Sequence, residues 1–166
     1  MHAKGHAGMA LLITFSFLSF FKLTSFEYII TALLTVAAST LPDIDLQLEI
    51  KHRKYTHNIL AAIIIGALIG IIYSPLGFYV GFIAGFSAVW IHILGDLLTY
   101  MEFAPLWPFI KKKVSLKLFK SGNPTANNAF WSLGVTAFLV YFLFIYSNAG
   151  YFLIKAVKEI IKTLIT

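Results

Sequence analysis

No cysteine occurs among the 166 residues. That excludes disulfides and thiolate metal ligation, so any soft or borderline metal would have to be held by histidine and carboxylate. Charge is scarce as well: 12% of residues are charged, against about a quarter in an ordinary soluble domain. No low-complexity linker and no internal repeat divides the chain, so a single membrane domain over 1–166 is expected. What is abundant is apolar side chain. The apolar share is 59%, with 16 Phe, and the mean hydropathy is +0.83. These values place the chain in the membrane class, where lipid-facing aromatics carry no solubility cost. The net charge of +6 is read as a topology signal and as contact with anionic lipid. Nucleic acid is not an expected partner.

Five apolar stretches, at about 6–23, 26–41, 57–73, 78–99 and 129–146, approach the ~20 residues that cross ~30 Å of hydrocarbon. The expected fold is therefore an all-α integral membrane protein, a bundle of about five transmembrane helices. Small residues at Ala37 and Ala38 come only after a second apolar run, so the first span reads as retained rather than as a cleaved signal peptide. Ser74-Pro75-Leu76-Gly77 reads as a tight turn. In the tail, about 150–166, Lys155, Lys158 and Lys162 share one helical face. That pattern fits an interfacial amphipathic helix or a polar extension of the fifth span equally well.

Five spans put the amino terminus and the segments 47–56 and 102–128 on one side. That side carries nine basic residues: Lys4, Lys51, Arg53, Lys54, Lys111, Lys112, Lys113, Lys117 and Lys120. The other side has Lys22 and the tail lysines. The positive-inside rule makes the nine-residue side cytoplasmic, in a multi-pass cell membrane protein.

The costly polar residues gather on that same side. His6 begins the first span, Asp43 and Asp45 end the second, His52 and His57 precede and open the third, and His92 and Asp96 close the fourth. Ionisable residues at membrane depth require a reason. His92 and Asp96 are spaced i, i+4, on one arc with Gly77, Gly81, Gly85 and Ala88, so they should face the bundle interior. Gly66-x3-Gly70 supplies a matching stripe, which suits internal packing or a homodimer equally. In Leu41-Pro42-Asp43-Ile44-Asp45 the proline disfavours helix at Leu41, and a local break would turn both carboxylates toward a metal. Thr56 is a candidate cap for the third helix.

His with carboxylate suits a divalent Zn, Mn, Fe or Ni. Seven candidates exceed what one tetrahedral ion needs, so one or two ions are expected. Arg53 and Lys111-Lys112-Lys113 are positioned in sequence to hold an anion. The Lys run serves equally as a topology signal.

At these residues the sequence resembles the YdjM-type membrane-bound metal-dependent hydrolases. Gly5-His6, Leu41-Pro42-Asp43-Ile44-Asp45, His52-Arg53-Lys54-Tyr55-Thr56-His57 and His92-Ile93-Leu94-Gly95-Asp96-Leu97-Leu98-Thr99 with Pro105-Leu106-Trp107-Pro108 carry the likeness, and Gly122-Asn123 completes it. Lys54 and Asn58 stand where that family usually has Gly and Ser. The ligand order is also distantly similar to zinc-dependent phospholipase C. That likeness implies metal-ligand roles for His6, Asp45, His57, His92 and Asp96. The expected function is a membrane hydrolase that cleaves a phosphoester of a lipid or lipid-linked substrate with a metal-activated water. In it Asp43 bridges metals or orients water, His52 is a ligand or general acid, and Arg53 neutralises transition-state charge. The rivals are a metal-ion transporter or sensor, and a structural membrane protein with a polar helix-end cluster.

Overall fold

The structure, a computed structural model, is described over residues 1–49, 53–147, 151, 155 and 156. His52 lies outside the described residues, as does nearly all of the expected amphipathic tail. The regular structure of the described chain is helical: α1 Ala3–Phe21, α2 Phe26–Ala38, α3 Ile44–Gln47, α4 Ile59–Ile72, α5 Phe78–Leu97 and α6 Pro124–Val140. A π-helical turn, Tyr141–Tyr146, continues α6. Among the described residues there is no strand beyond the isolated bridges Thr99–Phe119 and Phe103–Val114.

Four runs are long and apolar enough to span a membrane: Ala3–Phe21, Phe26–Gln47, Phe78–Leu97 and Pro124–Tyr146. The chain is a multi-pass membrane protein. The third expected span is shorter than the sequence implies. It survives as the 14 residues of α4, about 21 Å at the helical rise. Its start is set by Asn58, not by Thr56 as the sequence suggested. Asn58 is extended at φ −150°, and its Oδ1 accepts the Ala61 N–H at 2.9 Å. Its amide donates to the Lys54 and Tyr55 carbonyls. Asn is among the strongest helix caps, so the position is well filled. Thr56 is engaged elsewhere, as described below.

At the end of α2 the break expected from Pro42 is present. Leu41–Asp43 form a single 3₁₀ turn with Pro42 in its first positions, and α3 follows as one turn of helix. Between α4 and α5 the Ser74–Leu76 turn ends at Gly77, whose φ of +112° is open to glycine and strained for other residues.

Small residues set the helix contacts. A Cβ on Gly81 would lie 2.5 Å from the Ile69 carbonyl oxygen, and one on Gly85 would lie 3.0 Å from the Gly66 Cα. The two glycine stripes therefore face each other within this chain, across α4 and α5. Helices α1 and α6 are equally close through Gly8 and Gly134. Phe15, Leu18, Ile29, Ala32 and Tyr141 form one core cluster, and the Tyr141 hydroxyl donates to the Leu23 carbonyl at 2.7 Å. Ala62, Val89, Ile93 and Phe103 form a second cluster. Outward, α4 exposes Ile63, Ile64, Leu68, Ile71 and Ile72, a surface suited to lipid.

Candidate metal centre

Because α1 and α4 begin where α2 and α5 end, their ionisable residues meet at one end of the bundle. His6 comes from the first turn of α1, and Asp43 from the 3₁₀ turn after α2. His57 immediately precedes the Asn58 cap, and His92 and Asp96 stack on the last turns of α5. His6, His57, His92, Asp45 and Asp96 are all buried.

One ligand atom from each of Asp43, His57, His92 and Asp96 lies within 4.8 Å of the other three. The separations are specific. His57 Nε2 is 3.0 Å from His92 Nε2, 3.5 Å from Asp43 Oδ1 and 3.3 Å from Asp96 Oδ2. His92 Nε2 is 3.4 Å from Asp43 Oδ1 and 3.6 Å from Asp96 Oδ2. A tetrahedral ion with bonds of about 2.05 Å has ligand–ligand edges of about 3.3 Å. Five of the six edges among the four atoms are near that length, and the sixth, between the two carboxylates, is within 4.8 Å.

Their protons point elsewhere. His92 Nδ1 donates to the Ser39 carbonyl at 2.8 Å, which leaves the lone pair of the neutral ring on Nε2. The Thr56 hydroxyl donates to Asp45 Oδ2 at 2.7 Å, so its oxygen accepts from His57 Nδ1 at 2.8 Å. Asp45 Oδ2 itself lies 3.4 Å from that nitrogen. Nε2 of both rings and one oxygen of each carboxylate therefore face one point, and with both rings neutral they present two lone pairs and two anionic oxygens, a donor set that a cation would satisfy. Asp96 Oδ2 has no hydrogen-bond partner among the described residues.

Asp43 and Asp45 thus part company. Asp43 faces the ligand group, while Asp45 stands on the far side of the His57 ring, where it orients the ring and accepts the Arg53 backbone N–H at 3.0 Å. Carboxylates behind a ligating imidazole fix its tautomer, and losing one typically costs ten- to a hundredfold in metal affinity. Asp45→Asn should therefore keep a folded protein that binds Zn about 10–100-fold more weakly, as measured by competition with a chelating dye. Unchanged affinity would dismiss this role.

Arg53 holds Asp96 from outside. Its Nη2 is 2.8 Å from Asp96 Oδ1, and Nη1 donates to Thr99 Oγ1 and to the Met101 carbonyl. The Met1 amino nitrogen also contacts Asp96 Oδ1. His6 stacks on His92 with centroids 3.6 Å apart, and its Nε2 lies 3.3 Å from the same Oδ1. Neither ring nitrogen of His6 has a hydrogen-bond partner among the described residues. Gly95 makes the space for this ring, since a Cβ there would lie 3.1 Å from His6 Nδ1. Asp96 consequently presents one oxygen to the four-residue group and the other to His6. Lys111, Lys112 and Lys113 are exposed on the loop between α5 and α6.

Sequence reasoning did not find Ser39, whose contribution is a backbone carbonyl and leaves no residue signature. It also missed Thr56 as the link between Asp45 and His57, and Thr99, which accepts from Arg53 and donates to the Asp96 carbonyl.

The family model described as YdjM inner membrane protein matches residues 1–156. An uncharacterized protein of Bacillus subtilis (strain 168), YfhP, is 28% identical over 148 residues, covering 76% of this chain. The chain spans 44% of the length of that relative. No solved structure matches it.

Proposed function

Because the chain belongs to the YdjM inner membrane protein family, and from the metal-ready group it carries, we propose that it is a membrane-embedded metal-dependent hydrolase. The bond we assign to it is a phosphoester of a lipid or lipid-linked substrate. The observation that carries this reading is the convergence of Asp43, His57, His92 and Asp96 on one point, with the Nδ1 of each histidine engaged elsewhere, by Ser39 and by Thr56. A divalent ion held there, Zn first and Mn second, supplies Lewis acidity and a water acidic enough to attack at neutral pH. His6 and Asp96 Oδ1 offer a neighbouring second position.

The protein's own groups then have distinct tasks. Asp43 is 21% exposed, whereas His57, His92 and Asp96 are at 0–1%, so substrate approaches from the side of Asp43. His57, His92 and Asp96 would then hold the ion, and the Asp43 corner would be the open one, where its carboxylate orients the attacking water. Arg53 keeps Asp96 in place and contributes positive charge beside the developing phosphorane. His52, adjoining Arg53 in the sequence, is the candidate proton donor to the leaving group. The basic loops support a cytoplasmic location for this end of the bundle in a cell membrane.

A transporter would need polar steps along a path through the spans. Among the described residues the buried polar side chains cluster at one end of the bundle, with Thr35 about one turn deeper. A site confined to one face suits that distribution better than a path does. The test uses protein stripped by chelator and reloaded with Zn or Mn, then offered fluorescent phospholipids and p-nitrophenyl phosphate. Metal-restored turnover, lowered about 10²–10³-fold by Asp43→Asn, is the expected result. Stoichiometric metal without turnover on any phosphoester would leave the sensor or transporter reading in front.

A further inference from the structure

The loop 98–123 between α5 and α6 combines features that the metal centre does not use. Phe109 is 77% exposed, Leu118 64% and Ile110 51%. These side chains alternate with Lys111, Lys112, Lys113, Lys117 and Lys120, all exposed. Looseness does not explain the exposure, because the loop is tied down. Leu116 N–H donates to the Leu97 carbonyl at 2.8 Å and Leu118 N–H to Leu98 at 2.9 Å. Phe103 and Val114 exchange hydrogen bonds of 2.9 and 3.3 Å, and Ile59 N–H donates to Pro105 at 2.8 Å. The apolar side chains are thus held outward by an ordered backbone, at the level where α5 leaves the hydrocarbon.

A topology signal would need only the lysines. Apolar side chains placed among them require a medium that is apolar and anionic at once, which is the headgroup layer. The charge at this end fits. Lys4 and Lys54 join the five loop lysines, against exposed Glu49 and Glu102. Glu102 is already paired with Lys117 at 2.8 Å, and that lysine holds its carboxyl below the usual range. Lys111, Lys112 and Lys113 form no ion pair among the described residues.

We propose that loop 98–123 is a docking surface for anionic phospholipid headgroups of the protein's own membrane, with Phe109 and Ile110 inserted between lipids and Lys111–Lys113 on the phosphates. The metal centre then opens into the headgroup layer rather than into bulk water. The proposal requires no turnover, so it stands or falls separately from the hydrolase reading.

The cysteine-free chain makes the test direct. Phe109→Cys, labelled with an environment-sensitive fluorophore, is reconstituted into phosphatidylcholine vesicles with or without phosphatidylglycerol. The label should be quenched by spin-labelled lipid and shielded from iodide. Phosphatidylglycerol retained through purification should fall by at least about tenfold in Lys111→Gln/Lys112→Gln/Lys113→Gln, whose exposed positions leave folding and metal content intact. A label quenched by iodide and not by lipid would put the loop in water and overturn the proposal. Phosphatidylglycerol retention unchanged in the triple variant would do the same. Displacement of the lipid by free inorganic phosphate would instead assign the lysines to a soluble anion and also overturn it.

Discussion

Purified His92→Ala/Asp96→Ala should contain less than about a tenth of the metal bound by the wild type, measured by elemental analysis after reloading with Zn. The double change removes two corners of the tetrahedron. Two ligands do not hold a structural or catalytic ion that normally takes three or four protein donors. It also strips the Arg53 guanidinium of its partner Asp96 Oδ1, so the end of α5 loses a side-chain link while its backbone bonds to the following loop remain. A second readout separates metal loss from misfolding. A ligand that binds only the folded state stabilises it by about 4 kcal/mol at a thousandfold excess over its dissociation constant. Added Zn should therefore raise the melting temperature of the stripped wild type by several degrees and leave that of the double variant unmoved. Stoichiometric metal in a folded double variant would place the ion elsewhere in the chain.

The largest structural effect is expected at Gly134→Val. A Cβ at Gly134 would lie 2.2 Å from the Gly8 carbonyl oxygen and 2.9 Å from the Leu11 Cβ. The first of these is backbone, which cannot rotate away, so α1 and α6 must separate. Overpacking of this kind costs ~3 kcal/mol or more. The interface it opens positions α1, and α1 carries His6. In detergent the variant should melt about 10 °C or more below the wild type, or fail to elute as a single species. Leu133→Val, one residue away on an exposed position, serves as the neutral control. Equal stability of the two would mean that the α1–α6 contact is looser than the glycine geometry implies.

Much of this was legible in the sequence, and the parts that were not have physical reasons. The helices are announced by apolar runs, and the grouping of His and Asp at one end follows from counting spans. The His92–Asp96 stack follows from the i, i+4 spacing. The split between Asp43 and Asp45 does not, because it depends on a 3₁₀ turn passing into one turn of α-helix, and either backbone path suits Pro42. The α4 start was misplaced by two residues because Thr56 and Asn58 are both good caps. Only the competing bond from Thr56 to Asp45 decides between them. The Gly8–Gly134 contact joins segments far apart in the chain, and one glycine on each helix gives no periodic stripe to read.

The hydrogen bond from His92 to the Ser39 carbonyl and the arrangement of the ligands also bear on how the protein is made. Asp43, His57, His92 and Asp96 come from three separate parts of the chain. A nascent chain extended only through α4 holds two of the four ligands and lacks the His92 ring that Ser39 accepts from. The centre therefore becomes complete only once α5 has entered the membrane and packed against α2 and α4. Metal capture would then be a late event in biogenesis, one that would fasten helices inserted separately and distinguish a finished molecule from one still under assembly.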